Sequence, residues 1–260
     1  MANLEVSSLT LTFRGLAALM DVSFIVPEGQ IVSLIGPNGA GKTSMLNCIS
    51  GRYTPDCGQI SLDGLDLLRL PAHRRTSLGL SRTFQNIALF KGLSVLDNLM
   101  VGRHHLMDTG LLASILYFGP ARRKEDAHRL KVEEIIDFLG LSPYRHQIAG
   151  RLPYGVQKRV ELGRALAAEP RLILLDEPMA GMNLEETEDM ARYILDLNEE
   201  WAITTLLVEH DMGVVMDISD QVVVLDFGSV LAQGAPGEVQ QNPEVVRAYL
   251  GSEDSHFLGR

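Results

Sequence analysis

The rhythm of apolar and polar positions changes twice along the chain. Near the N-terminus, "EVSSLTLTF", "VSFIV" and "QIVSLI" are short β-rich runs separated by polar residues or by punctuation such as Pro27-Glu28-Gly29. They predict an N-terminal sheet that contains a hairpin. Later, "RLILLD" (171–176) and "ITTLLVEHD" (203–211) are nearly unbroken apolar runs of strand length, the pattern of parallel strands buried on both faces. "QVVVLDFGSVLAQG" (221–234) predicts a hairpin that turns at Asp226 to Ser229. Between these β-rich halves, from about 86 to 170, the period becomes helical. In "RRKEDAHRLKVEEIIDFLGL", Leu130, Ile135, Leu139 and neighbouring apolar positions fall near helical spacing, with charges elsewhere. The pattern therefore predicts a helical block inserted into an α/β lobe. The apolar stretch "LLASILYFG" (111–119) is too short to span a bilayer and reads as a buried helix face, while the tail "GSEDSHFLGR" reads as mobile.

Composition narrows the class without changing this outline. The chain has 260 residues, 46% hydrophobic and 22% charged, as a soluble, well-cored protein of one large or two small domains does, and disordered and fibrous classes drop out. A formal charge of −10 repels nucleic acid and anionic lipid, and the basic runs Arg74-Arg75 and Arg122-Arg123-Lys124 are too short to override it. Cys48 and Cys57 have neither zinc spacing nor the density of a secreted scaffold, so they read as inert thiols of a reducing compartment. The N-terminus "MANLEVSSLTLTF" has neither a basic region nor an apolar core of a signal peptide, and a cytoplasmic location is expected.

The candidate chemistry begins at "IGPNGAGKTS" (35–44). It matches G-x-x-x-x-G-K-[ST] as Gly36, Gly41, Lys42 and Thr43, follows the strand "QIVSLI", and opens a helix whose Met45, Leu46 and Ile49 share one face and whose stop is Gly51. Gly39 and Gly41 let the backbone curl so that successive N–H groups face an anion, and the helix N-terminus adds partial positive charge. Lys42 is placed to reach the β- and γ-phosphates of a nucleotide, and the Thr43 hydroxyl suits Mg²⁺. At the end of "RLILLDEP", Asp176 and Glu177 form an acidic pair that needs a cation: Asp176 would hold Mg²⁺ through water, and Glu177 would orient or deprotonate the attacking water. A second strand end carries Glu209-His210-Asp211, with His210 a candidate functional histidine.

With Gln85 in "RTFQN", "LPYGVQKRVELGRAL" (152–166), "ILLDEP", "AGMN" (180–183) and "VEHD", these motifs resemble, in order and spacing, the ABC ATPase cassette, over almost the whole chain from Leu4 to Gly251. "SRTFQNIALFKGLSVLDNLMVGRH", a Tyr-Gly signature and a chain ending "YLG" resemble more closely the cytoplasmic ATPase of bacterial branched-chain amino acid importers. The resemblance implies an α/β P-loop fold in which a single ABC ATPase domain comprises a nucleotide-binding lobe (1–85 and 171–250, with an N-terminal antiparallel β subdomain), an inserted helical subdomain (86–170) and a tail (251–260). It implies ATP and Mg²⁺ as cofactors, held by the phosphate-loop residues Gly36, Asn38, Gly39, Ala40, Gly41, Lys42, Thr43 and Ser44, with Phe13 stacked on adenine. Thr43, Gln85 and Asp176 would face the metal, Glu177 would be the catalytic base, and His210 would hold the γ-phosphate end. In a head-to-tail dimer, the signature residues Tyr154 and Gly155 would close over ATP bound by the opposite subunit.

Two departures stand out. Leu152-Pro153-Tyr154-Gly155-Val156 replaces Leu-Ser-Gly-Gly-Gln, which removes a serine hydroxyl and, at Pro153, an N–H; Asn183 replaces the usual aspartate of the dimer-spanning loop. The implied partners are transmembrane permeases, a second ABC ATPase copy or sister and, indirectly, a periplasmic binding protein, at the cytoplasmic face of a bacterial inner membrane. There is no Asn-Lys-x-Asp guanine motif. An envelope-lipid exporter ATPase and a soluble assembly or repair ATPase are the alternatives; against repair, the chain has no coiled-coil insertion, zinc cysteines or basic face.

Overall fold

The computed structural model describes residues 2–106 and 120–250, with side chains at 120–124 and 250 left undescribed. The apolar stretch 111–119 and the tail 251–260, for which a buried helix and a mobile end were expected, lie outside the described residues. In chain order the strands are β1 (Leu4–Phe13), β2 (Leu16–Val26), β3 (Ile31–Ile35), β4 (Cys57–Leu62), β5 (Leu65–Asp66), β6 (Leu80–Arg82), β7 (Leu172–Asp176), β8 (Thr204–Val208), β9 (Gln221–Asp226) and β10 (Ser229–Gly234). The helices are α1 (Lys42–Ile49), α2 (Ala72–Ser77), α3 (Val95–Gly102), α4 (Pro120–Phe138), α5 (Tyr154–Leu166), α6 (Leu184–Glu199), α7 (Met212–Ile218), α8 (Pro236–Gln240) and α9 (Pro243–Leu250). They divide between two compact units, one of Met1–Arg82, Arg171–Pro178 and Ala191–Arg260, the other of Thr83–Pro170 and Met179–Met190.

The first unit holds two sheets. A four-stranded antiparallel sheet has the order β2-β1-β4-β5, and a six-stranded sheet the order β10-β9-β3-β8-β7-β6. In the larger sheet only the β9–β10 pair is antiparallel. Every residue of β3, β7 and β8 is buried, as unbroken apolar runs between covered faces demand. Strands β1 and β2 are joined at Arg14-Gly15, β4 and β5 at Asp63-Gly64, and β9 and β10 at Phe227-Gly228, all with positive φ at both turn residues. That double positive φ is the mark of the turn whose twist matches paired strands, with glycine taking the position where a Cβ is least welcome. The last of these is the hairpin expected from Asp226 to Ser229; the first extends β2 back to Leu16, well before the "VSFIV" run. One apolar core joins Leu9, Leu19 and Val22 of the small sheet, Met45, Leu46 and Ile49 of α1, and Leu174, Leu206 and Val208 of the large sheet. A second packs Ile35, Val222 and Val224 against Met212, Val215, Val239, Val245 and Tyr249.

The second unit is helical. The buried stripe of α4 and the turn that follows it is Val132, Ile135, Ile136 and Leu139, spaced i, i+3, i+4, i+7. Leu130, expected on that face, is instead 72% exposed, because five residues before Ile135 it falls well round the helix from the stripe. Helix α3 starts with a reciprocal cap in which the Asp97 N–H donates to Ser94 Oγ at 3.1 Å and the Ser94 hydroxyl donates to Asp97 Oδ2 at 2.6 Å. Close packing of α3, α4 and α5 depends on Gly163, where a Cβ would lie 3.0 Å from Leu139 Cδ1 and 3.3 Å from Leu99 Cδ2.

Candidate nucleotide site

Parallel register brings the chemistry of the first unit to one end of the large sheet. Asp176 of β7 stands opposite Val208 of β8, and Val208 opposite Leu34 of β3, so the segments that follow these three strands emerge side by side at their carboxyl ends. After β3 the chain turns at Gly36 with φ 149°, where a Cβ would sit 2.1 Å from the Leu225 carbonyl oxygen. The loop is stitched to its surroundings by main chain: the Gly228 N–H donates to Ala40 O at 3.1 Å, and the Met20 N–H donates to Gly228 O at 2.7 Å. At Gly41, with φ 105°, a Cβ would meet the Ala18 carbonyl at 2.6 Å, whereas Gly39 faces open space.

This cradle suits a polyphosphate. No side chain caps the first turn of α1 and no acidic residue lies in it, which leaves the positive end of the helix to an outside anion. The Lys42 ammonium folds back over the loop, donating to Gly36 O at 2.6 Å and Pro37 O at 3.2 Å. Asn38, Gly39 and Thr43 are exposed and Ser44 half-buried, while Ala40 is buried as part of the loop's support. Beside them Asp176 is buried, and its Oδ2 accepts from Arg82 Nη2 at 2.8 Å. Among the described residues no group of three or more His, Cys, Asp or Glu side chains could hold a metal by itself. One carboxylate and one hydroxyl, with phosphates and retained waters filling the other positions, is a donor set that Mg²⁺ would accept.

Glu177 follows directly, half-buried at φ 49°, with its N–H donating to Val208 O at 2.8 Å. A non-glycine residue in the left-handed region costs about 1–3 kcal/mol and collects at functional positions, where the surrounding structure holds it. His210 exposes 61% of its side chain, 4.0 Å by Nδ1 from Glu209 Oε2; Glu209 itself is buried and accepts the His210 N–H at 3.1 Å. Asp211, the third member of that run, caps α7 by accepting from Gly213 and Val214 N–H groups. Phe13 lies at the tip of the β1–β2 hairpin, 42% exposed, with its ring edge-on to Tyr53 at 5.1 Å.

The remaining sequence candidates sit in the helical unit. Gln85 is exposed, its carbonyl accepting from Lys158 Nζ at 3.3 Å. Two further residues of α5 hold the same segment: Glu161 Oε1 accepts the Ala88 N–H at 3.2 Å, and Arg164 Nη1 donates to Ala88 O. Burial pushes the Glu161 carboxyl upward against these favourable contacts, and burial with Glu161 nearby raises the Tyr154 phenol. Tyr154 stands over Gly181, where a Cβ would lie 3.2 Å from its ring, and the Glu186 carboxylate lies against Gly155, 2.2 Å from where a Cβ would be. The departure at Asn183 has a local explanation: Asn183 Oδ1 accepts the Glu186 N–H at 3.0 Å and Glu186 Oε2 accepts the Asn183 N–H at 3.1 Å, a reciprocal cap that asparagine serves as well as aspartate. Arg82, Tyr53, Lys158, Glu161, Arg164 and Glu186 escape sequence reading. Of these, only Glu186 has a signal, Asn183-x-x-Glu186 before a helix.

A glycine cradle opening a helix, with acidic and histidine-bearing strand ends beside it, defines a P-loop nucleotide hydrolase. Residues 19–180 match the ABC transporter family, and residues 229–255 match the branched-chain amino acid ATP-binding cassette transporter family. This chain belongs to the ABC transporter ATP-binding family. It is similar to the high-affinity branched-chain amino acid transport ATP-binding protein BraF of Pseudomonas aeruginosa, with 44% identity over 95% of this chain and 97% of that protein. It is also similar to LivG of Salmonella typhimurium, of the same description, with 41% identity over the same shares. Among solved structures it resembles the ADP conformation of an ATP-binding cassette of an ABC transporter, with a TM-score of 0.84, 32% identity and coverage of 97% of this chain and 100% of that one. It also resembles a dimeric cassette in a post-hydrolysis state bound to ADP and Pi, with a TM-score of 0.76, 25% identity and coverage of 90% and 98%.

Proposed function

We propose that this chain is the ATP-binding and hydrolysing subunit of a membrane ABC importer for branched-chain amino acids or related small polar solutes. The observation that carries this reading is 44% identity to BraF over nearly the full length of both chains, joined by the match of residues 229–255 to the branched-chain amino acid cassette family. The cradle of residues 36–44 holds the triphosphate of ATP, and Phe13 offers a ring face to the base. Thr43 and Asp176 attend Mg²⁺, which when bound neutralises phosphate charge. Glu177 orients the attacking water and takes its proton, and His210 contacts the γ-phosphate end; phosphoryl transfer asks the protein mainly for such positioning.

The helical unit carries the signature residues Tyr154 and Gly155, which serve ATP held by a second cassette, as the similarity to a dimeric cassette supports. That second cassette is another copy or a sister ATPase. No helix among the described residues is long and apolar enough to cross a membrane, so the solute path belongs to permease subunits at whose cytoplasmic face this chain docks, with a periplasmic receptor acting at a distance. Glu177→Gln tests the assignment: ATP binding is retained, turnover falls by about 100-fold or more, and an ATP-dependent dimer accumulates in light scattering. A variant that hydrolyses ATP near the parent rate removes Glu177 from this role. Loss of leucine uptake on deleting the chain, restored by the wild-type copy, tests the solute class.

A further inference from the structure

Asp176 is 2% exposed, and an ionised carboxylate so placed needs positive charge at hand. Its neighbour is the equally enclosed Arg82, 6% exposed, whose Nη2 donates to Asp176 Oδ2 at 2.8 Å. The same guanidinium also reaches the other way. Nη1 donates to Asn47 Oδ1 at 2.8 Å and to Ser50 Oγ at 2.9 Å, the first within α1 and the second at its C-cap. Arg82 thus ties the end of β6 to the phosphate-loop helix and to the acidic end of β7. A rigid planar fork with several donors makes this possible, and a single ammonium does not.

We propose that Arg82 is a positioning residue for the magnesium nucleotide: a resident positive charge that fixes the Asp176 carboxylate relative to α1 and sets how much nucleotide binding gains from the cation. The proposal rests on the nucleotide-binding reading above. With Arg82 present, the carboxylate is already compensated, so Mg²⁺ adds less at Asp176. With a neutral side chain in its place, that share of the compensation is lost, and the cation contributes more to nucleotide binding.

The test is calorimetric titration of the full-length protein with ADP, in excess Mg²⁺ and in EDTA, for wild type and Arg82→Gln. The ratio of the two dissociation constants, EDTA over Mg²⁺, is expected to rise by about tenfold in the variant, equivalent to about 1.4 kcal/mol of added dependence on the cation. Its thermal midpoint is expected to fall in EDTA and to recover by a larger increment than wild type when Mg²⁺ is added. A merely structural Arg82 weakens both ADP affinities by one factor; an unchanged ratio overturns the proposal. Should Arg82→Gln not fold, the neutral Arg82→Met poses the same question: a rise of at least about threefold supports the proposal and an unchanged ratio refutes it. If wild type takes up no ADP under either condition, the nucleotide reading itself fails and this proposal falls with it. That result is distinct from a wild type that binds beside a variant whose ratio does not move.

Discussion

Two glycine-to-alanine substitutions in the candidate nucleotide-binding machinery are expected to have very different consequences. At Gly36 the new Cβ would lie 2.1 Å from the Leu225 carbonyl oxygen and 3.1 Å from Ala40 Cβ, at φ 149°. Leu225 belongs to β9, which is paired with β3 on one side and β10 on the other, so its carbonyl has nowhere to retreat. Overpacking of this kind costs about 1–3 kcal/mol, and an unfavourable φ adds about 1 kcal/mol, so roughly 2–4 kcal/mol of stability is lost. For a chain of this size that is a fall of roughly 5–15 °C in the thermal midpoint. At Gly155 the Cβ would be almost as close to its nominal obstacle, 2.2 Å, but that obstacle is the Glu186 carboxylate at the free end of a side chain. It can swing aside, and the loss is limited to its part in the α6 cap, about 1 kcal/mol or less. Scanning calorimetry of Gly36→Ala and Gly155→Ala in parallel makes the comparison. A Gly36→Ala midpoint within about 2 °C of wild type, or one no lower than that of Gly155→Ala, would refute the reasoning from fixed and movable neighbours.

Burial holds the Glu161 carboxyl above its ordinary value of 4.5, so across the window from 4.5 up to its folded value the folded chain binds more protons than the unfolded one. Its contribution to stability therefore declines as pH rises through that window, and Glu161→Gln, which keeps an acceptor for the Ala88 N–H, should flatten the slope of urea midpoint against pH; equal slopes in both proteins would refute this. The Cys48 thiol is pushed up to about 11 by burial, whereas Cys57 is exposed. A thiol-exchange reagent at pH 8 should therefore label one cysteine quickly in the native protein and the second only on unfolding, and two fast reactions would contradict the buried placement of Cys48.

The parts of the fold legible in the sequence are those whose cause is local. Unbroken apolar runs announced β7 and β8 because burial on both faces leaves no room for polar positions, and the phosphate loop was visible because Gly36 and Gly41 meet backbone at distances that exclude a side chain. What escaped was decided by distant partners. Strand β6 is only Leu80–Arg82, too short to carry a pattern, and exists because it pairs with β7 nearly a hundred residues later. The β4–β5 hairpin at Asp63-Gly64 carried a turn signal without flanking runs long enough to stand out. Leu130 showed that a rough helical period does not fix which residues lie inside; only the tighter set Val132, Ile135, Ile136 and Leu139 does. In the candidate site, motif residues could be read by type and order, but the arginine beside Asp176 could not, since a lone basic residue at a strand end looks like any other.

The stitches behind the phosphate loop run from amide to carbonyl, through Gly228 to Ala40 on one side and to Met20 on the other. Such a seam takes its strength from the polypeptide itself and asks of its side chains chiefly that Gly41 and Gly228 carry none. Descendants of this protein are therefore free to redecorate the hairpin at Phe227, while the curvature of the anion-gripping loop is inherited intact.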